Sequence, residues 1–177
     1  MQVEAQSKTA WIGAALERYE QPLLRYAAGI AGDAELARDV VQDTFLQLCT
    51  AEQVRIEDHM AAWLYTVCRN RALNVRKKEG RMNPLREGQA ETLPNGSAGP
   101  SALAERNEAH HLVLDAIGAL PPKQQEACRL KFQDELTYRE ISQIMGVSLG
   151  TVSNLVTNAL DTIRQRLQAD TGLAQEG

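Results

Sequence analysis

LTYREISQIMGVSLGTVSNLVTNALDTIRQRL, residues 136–167, carries two helical patterns on either side of a glycine. Thr137 and Glu140 have capping-box spacing, hydroxyl to the N3 amide and carboxylate back to the N-cap amide. Ile141, Ile144 and Met145 follow as an apolar side. Gly146 stands where a left-handed residue is needed, because it has no Cβ to clash. Val147 can pack under the turn, and Ser148 is a natural N-cap for a second helix. That helix carries Val152, Leu155, Val156, Ala159, Ile163 and Leu167 at steps of three and four. The pattern predicts a helix-turn-helix, whose second helix reads DNA. An ordinary αα-hairpin in a helical core is the alternative.

Working outward, the 177 residues allow one domain or two small ones. The chain is 44% hydrophobic but only 5% aromatic, which suits packed helices. No apolar run is long enough to span a bilayer, and the N-terminus lacks the basic and apolar regions of a signal peptide. Cytoplasmic location and no membrane insertion are the expectations. Cys49, Cys68 and Cys128 are far apart and include no C-x-x-C, so free thiols are expected. His110 and His111 are adjacent and point to different helix faces, so no metal site is expected. With no nucleophile elbow, P-loop or dinucleotide fingerprint, neither a catalytic residue nor a cofactor is expected.

Net charge is −4, which argues against a protein that coats nucleic acid indiscriminately. The distribution is uneven. Asp33, Glu35, Asp39 and Asp43 make one segment acidic, while Arg69, Arg71, Arg76, Lys77, Lys78, Arg81 and Arg86 make another basic. That asymmetry points to two partners, one basic and one polyanionic.

In chain order, residues 9–31 have a helical pattern through Trp11, Ala15, Tyr19, Leu23 and Ala27. Pro22 predicts a kink or break near Glu20 and Gln21. Gly32 ends this element and Asp33 caps the next, over 34–49, with Leu36, Ala37, Val40, Val41, Phe45 and Leu48 inward. Asp39, Gln42, Asp43 and Leu46 fall on the other side; from charge alone they read as a solvated acidic face. Asp58 is expected to cap a third helix over 59–78, with Met60, Leu64, Val67, Cys68, Ala72 and Val75 inward. Its other side holds Arg69, Asn70, Arg71, Asn74, Arg76, Lys77 and Lys78, with Trp63 and Tyr65 near its start. Cations can meet phosphates, amides can reach base edges, and rings can stack on an unpaired base. A solvated basic helix end is the alternative.

Residues 81–101 contain Pro84, Gly88, Pro94, Gly96, Gly99 and Pro100 and read as a flexible linker. Helices are then expected over 102–119, with Leu112, Val113, Ala116, Ile117 and Leu120 inward, and over 123–134. Pro121 and Pro122 separate them, since proline is tolerated at N1. The architecture expected is all-α. A helical bundle over 8–80 and a four-helix domain with the helix-turn-helix over 102–170 are joined by the linker.

YEQPLLRYAAGIAGDAELARDVVQDTFLQL with AAWLYTVCRNRALNVRKK resembles the second conserved region of extracytoplasmic-function sigma factors. LDAIGALPPKQQEACRLKFQDELTYREISQIMGVSLGTVSNLVTNALDTIRQRL resembles their fourth region. DVVQDTF, WLYTVCRNRA and LPPKQQE ahead of the helix-turn-helix, in this order, make the resemblance specific.

The resemblance implies a promoter-specificity subunit of RNA polymerase. Asp39, Gln42, Asp43 and Leu46 would then dock on the β′ clamp. Trp63, Arg69, Asn70, Arg71, Asn74, Arg76, Lys77 and Lys78 would hold the −10 element of promoter DNA. Arg139, Ser148, Leu149, Gly150, Thr151, Ser153, Asn154, Thr157 and Asn158 would meet the −35 element, with the β flap nearby. The linker would thread near the RNA exit path, and an anti-sigma factor is the implied regulator.

The reading helix departs from the family pattern. Ser153, Asn154, Thr157 and Asn158 stand where cations are common, and Asp161 adds a negative charge. Each missing phosphate contact removes about 1 unit of log–log salt slope. Asn can still read adenine, and Ser or Thr can contact phosphate. Weak −35 binding by the isolated domain is expected, the remaining cations nearby being Lys131, Arg139, Arg164 and Arg166. Two other functions compete: a stand-alone helix-turn-helix regulator, and a sigma-like mimic that only sequesters an anti-sigma factor.

Overall fold

The computed structural model describes residues 2–82, 113 and 115–173. All regular structure among them is helical. The chain divides into two compact units, Met1–Pro94 and Asn95–Gly177. The expected linker over 81–101, with Arg86, lies almost wholly outside the described residues, as do His110, His111 and most of the helix expected over 102–119.

The first unit is three helices, α1 (Gln2–Ala31), α2 (Ala34–Thr50) and α3 (Met60–Met82), each packed on the other two. Of the kink or break expected near Glu20 and Gln21, the break does not occur: α1 runs on through Pro22. An interior proline costs a backbone hydrogen bond and about 3 kcal/mol. Burial just beyond it offsets this: Leu23 and Ala27 are fully buried and Tyr26 nearly so. Gly32 then takes φ +73°, and the Asp33 carboxylate accepts the amides of Glu35 and Leu36, starting α2 as expected.

Ala37, Val40, Val41, Phe45 and Leu48 bury their side chains from α2. Thr44 is buried with them, its hydroxyl donating to the Val40 carbonyl at 2.8 Å. Thus a polar residue belongs to the core stripe and Leu36, expected inward, is half-buried. Asp58 does not cap α3. Two short 3₁₀ turns, Gln53–Arg55 and Glu57–His59, lead into it, and Ile56 between them is buried. Lys8 reaches across from α1 to the Ala51 carbonyl beyond the end of α2 (3.1 Å).

Leu64, Cys68 and Ala72 form the buried stripe of α3, and Tyr65 is buried beside them. Leu23, Leu48 and Leu64 are fully buried, each worth about 1.5–3 kcal/mol of transfer free energy.

The second unit contains a helical turn over 115–118, then α4 (Pro122–Phe132), α5 (Tyr138–Met145) and α6 (Leu149–Leu173). Pro121 and Pro122 separate the first two, as expected. Ala127, Cys128 and Leu130 face inward from α4, while Val113, expected inward, is exposed. Leu120, Cys128 and Ala159 form a core cluster with Ile163 against it. The helix expected to end near Leu167 continues to Leu173, through Gly172. No proline intervenes, and a helical glycine costs only about 1 kcal/mol.

Candidate polymerase and promoter surfaces

Asp39, Gln42, Asp43 and Leu46 are all exposed, and their spacing puts them on one face of α2. The buried stripe opposite dictates this: burying Ala37, Val40, Val41 and Leu48 leaves these four outward. Leu46 is 58% exposed, an apolar side chain held in water beside two carboxylates. Such a surface suits a partner carrying both a cation and an apolar contact.

On α3, Asn70, Asn74, Arg76, Lys77 and Lys78 are exposed, and Trp63 and Arg69 are half-buried. Trp63, Asn70, Asn74 and Lys77 share a face by helical spacing. Tyr65, expected near this surface as a stacking ring, is instead 1% exposed. Its ring lies against Tyr26 in the core. Arg71 is paired with Asp43 of α2 at 2.6 Å, so the structure brings together two residues the sequence assigns to different surfaces.

Cys68 sits where the three helices meet. Its thiol points toward the Leu23 carbonyl at 4.0 Å. Burial pushes its pKa up to about 12, partly offset by a hydrogen bond with Thr44. Cys128 is likewise raised by burial, whereas Cys49 is exposed.

The helix-turn-helix forms as its sequence predicts. The Thr137 hydroxyl accepts the Glu140 amide, and the Glu140 carboxylate accepts the Thr137 amide at 2.8 Å. Gly146 adopts φ +66°. The Ser142 carbonyl accepts the amides of Gly146 and Val147, and the Ser142 hydroxyl donates to the Val147 carbonyl at 2.6 Å. Ser142 is thus the latch of the turn. A short hydroxyl near a helix end was its only sequence signal. Ser148 then caps α6 through the Thr151 amide at 3.1 Å.

Beyond the turn, Ser148, Leu149, Gly150, Thr151, Asn154, Thr157 and Asn158 are exposed, as is Arg139 on α5; Ser153 is half-buried. Val152, Val156 and Ala159 hold the opposite side of α6 in the core. The nearby cations are partly committed. Lys131 donates to the Leu136 carbonyl at 3.3 Å and lies 5.5 Å from the Tyr138 ring centroid. Arg164 pairs with Asp161 at 3.2 Å. Arg129 is half-buried and its pKa is lowered by desolvation. The exposed α6 face is therefore amide, hydroxyl and apolar in character, with Arg139 of α5 an exposed cation beside it.

Comparison with known proteins agrees with this arrangement. Residues 15–82 match the model of sigma-70 region 2, and residues 110–163 match that of sigma-70 region 4. The chain is 30% identical over 139 residues to the ECF RNA polymerase sigma-E factor of Haemophilus influenzae, covering 73% of this chain and 74% of that one. The sigma-E factor of Escherichia coli K12 is likewise 30% identical, covering 73% of each. Among solved structures, the sigma factor RpoE in complex with the anti-sigma factor NepR from Bartonella quintana is similar at TM-score 0.64 and 22% identity, over 89% of this chain and 97% of that one. CnrH in complex with the cytosolic domain of CnrY is similar at TM-score 0.61 and 21% identity, over 94% and 95%. These two share the all-α fold. With both conserved regions in order and relatives matched over most of their length, the chain belongs to the extracytoplasmic-function sigma factors of the sigma-70 family, the subunits that give RNA polymerase its promoter specificity.

Proposed function

We propose that this chain grips core polymerase through α2 and promoter DNA through α3 and the helix-turn-helix. One observation carries the reading: a single three-helix unit separates an acidic, partly apolar face (Asp39, Gln42, Asp43, Leu46) from a cationic end (Arg76, Lys77, Lys78). The first suits the β′ clamp and the second suits phosphates of the −10 element, with Asn70 and Asn74 able to reach bases. The α6 face from Leu149 to Asn158 meets the −35 element, close to the β flap.

The boundaries are those of the sequence: 8–80 for polymerase and the −10 element, 102–170 for the −35 element, and 81–101 between them. Tethering makes each binding event raise the effective concentration for the other. The work is binding rather than catalysis, and it takes place in the cytoplasm with the polymerase. Among the described residues no helix is long and apolar enough to cross a membrane. One similar solved sigma factor is held by an anti-sigma factor, and CnrH by the cytosolic domain of CnrY; a protein regulator of that kind fits this chain as well.

Reconstitution with core polymerase and run-off transcription tests the proposal. The wild-type chain should yield promoter-dependent transcripts. Asp39→Lys should lose core binding, and Arg76→Ala with Lys77→Ala should bind core yet fail to open the promoter. A folded protein giving no promoter-dependent transcript on any genomic fragment would sink the reading. Tight operator binding without polymerase would favour a stand-alone regulator. Undiminished function of the Arg76, Lys77 double variant would favour a mimic that binds only protein.

A further inference from the structure

We propose that Arg71 is a positioning residue for polymerase docking, acting through Asp43, and not a phosphate contact. The inference rests on the reading of α2 as the docking face. It begins from an ion pair that crosses between helices: Arg71 Nη1 donates to Asp43 Oδ2 at 2.6 Å, between residues 28 apart in sequence.

Two further observations separate Arg71 from the cations beside it. Its Nε is cut off from solvent and has no hydrogen-bond partner, so the root of the guanidinium is fixed at the α2–α3 junction. Its side chain is 32% exposed, whereas Arg76, Lys77 and Lys78 stand out in water. Asp43, by contrast, keeps 53% of its side chain exposed while paired. A carboxylate has about four lone-pair sites, so Asp43 held at Oδ2 still has capacity at Oδ1 for a cation on a partner.

Arg71 thus holds the Asp43 carboxylate in one rotamer before docking. A side chain immobilised in advance is one that binding need not immobilise, worth about two- to tenfold in affinity. Arg71 also repels an incoming cation. A cation seated on Oδ1 would lie within one Debye length of Arg71, roughly 8 Å at physiological salt, so core affinity reads the positioning gain net of this repulsion. Lysine would keep the charge but lose the planar fork.

The test measures core polymerase affinity of the full-length chain for wild type, Asp43→Asn, Arg71→Ala, Arg71→Lys and Asp43→Asn with Arg71→Ala. The salt dependence of promoter binding by each holoenzyme is measured alongside. Asp43→Asn should weaken core binding. Arg71→Ala should weaken it about two- to tenfold, Arg71→Lys should weaken it less, and Arg71→Ala should add nothing once Asp43 is Asn. The promoter salt slope should not change. If Arg71→Ala unfolds the first unit, Arg71→Gln, which keeps the stem, takes its place.

Unchanged or tighter core binding by the Arg71 variants, with Asp43→Asn still weakened, overturns the proposal alone. A promoter salt slope lower by about one unit overturns it in favour of a phosphate contact. Unaltered core binding by Asp43→Asn overturns both the proposal and the docking reading beneath it.

Discussion

The Tyr26 and Tyr65 rings meet inside the first unit, 5.1 Å apart between centroids and tilted by 57°. Such a pair adds about 0.5–1.5 kcal/mol beyond its area burial and joins α1 to α3. Tyr65→Ala should therefore cost about 3–5 kcal/mol and melt the first unit. Tyr65→Phe keeps the ring contact with Tyr26 and should recover most of that stability. Trp63→Ala should show the opposite pattern, a folded unit with impaired opening. Thermal melts beside run-off transcription separate the two positions.

The turn of the helix-turn-helix should be sensitive to backbone and cap changes. A Cβ added at Gly146 meets nothing within 4 Å, so Gly146→Ala pays only for its left-handed conformation, about 1–2 kcal/mol. Thr137→Ala should cost about 1 kcal/mol through the lost cap. Ser142→Ala should cost a similar amount, about 1 kcal/mol, because it releases the Val147 carbonyl. Urea titration followed by circular dichroism measures all three.

Salt dependence should expose the composition of the reading face. Asn158→Arg restores a cation on an exposed position of α6 and should steepen the log–log slope of −35 binding by about 0.9. Asn154→Ala should leave that slope unchanged and relax base preference at one position, by about 1–3 kcal/mol if the amide reads adenine. Competition binding of the holoenzyme across salt and across −35 variants measures both.

Thiol chemistry should divide the cysteines. Cys49 should react rapidly with an alkylating reagent, and Cys68 and Cys128 only as the protein unfolds. The folded thiol of Cys68 ionises near 12 and its unfolded counterpart near 9.0. Its contribution is therefore intact below the unfolded value and is lost as pH rises toward the folded one. The loss is at most about 1.4 kcal/mol per pH unit. Denaturation of wild type against Cys68→Ala between these limits should show a gap that closes or reverses as pH rises.

What the sequence made legible was local. The capping box at Thr137, the helix-ending glycine at 32, the left-handed glycine at 146, and the inward stripes of α2 and α6 depend on residues within a turn or two of one another. What it hid was decided across helices. Tyr65 has the chemistry of a stacking ring, and only its meeting with Tyr26 makes it core. Asp43 and Arg71 have no sequence signal linking them. Pro22 is tolerated because packing beyond it outweighs a local rule. Asp58 is a competent cap, yet the 3₁₀ turns around buried Ile56 bring the chain into α3 another way.

On α6 the residues that hold the fold and those proposed to meet DNA alternate along one helix without sharing a side chain. Val152, Val156 and Ala159 are interior; Asn154, Thr157 and Asn158 are in solvent. On the proposed reading, base preference can be rewritten at the outward positions with little effect on folding, since exposed helix sites away from caps tolerate substitution within about 0.5 kcal/mol. The helix is a natural site for re-targeting: a library confined to Asn154, Thr157 and Asn158 would search promoter sequences while sampling a single scaffold.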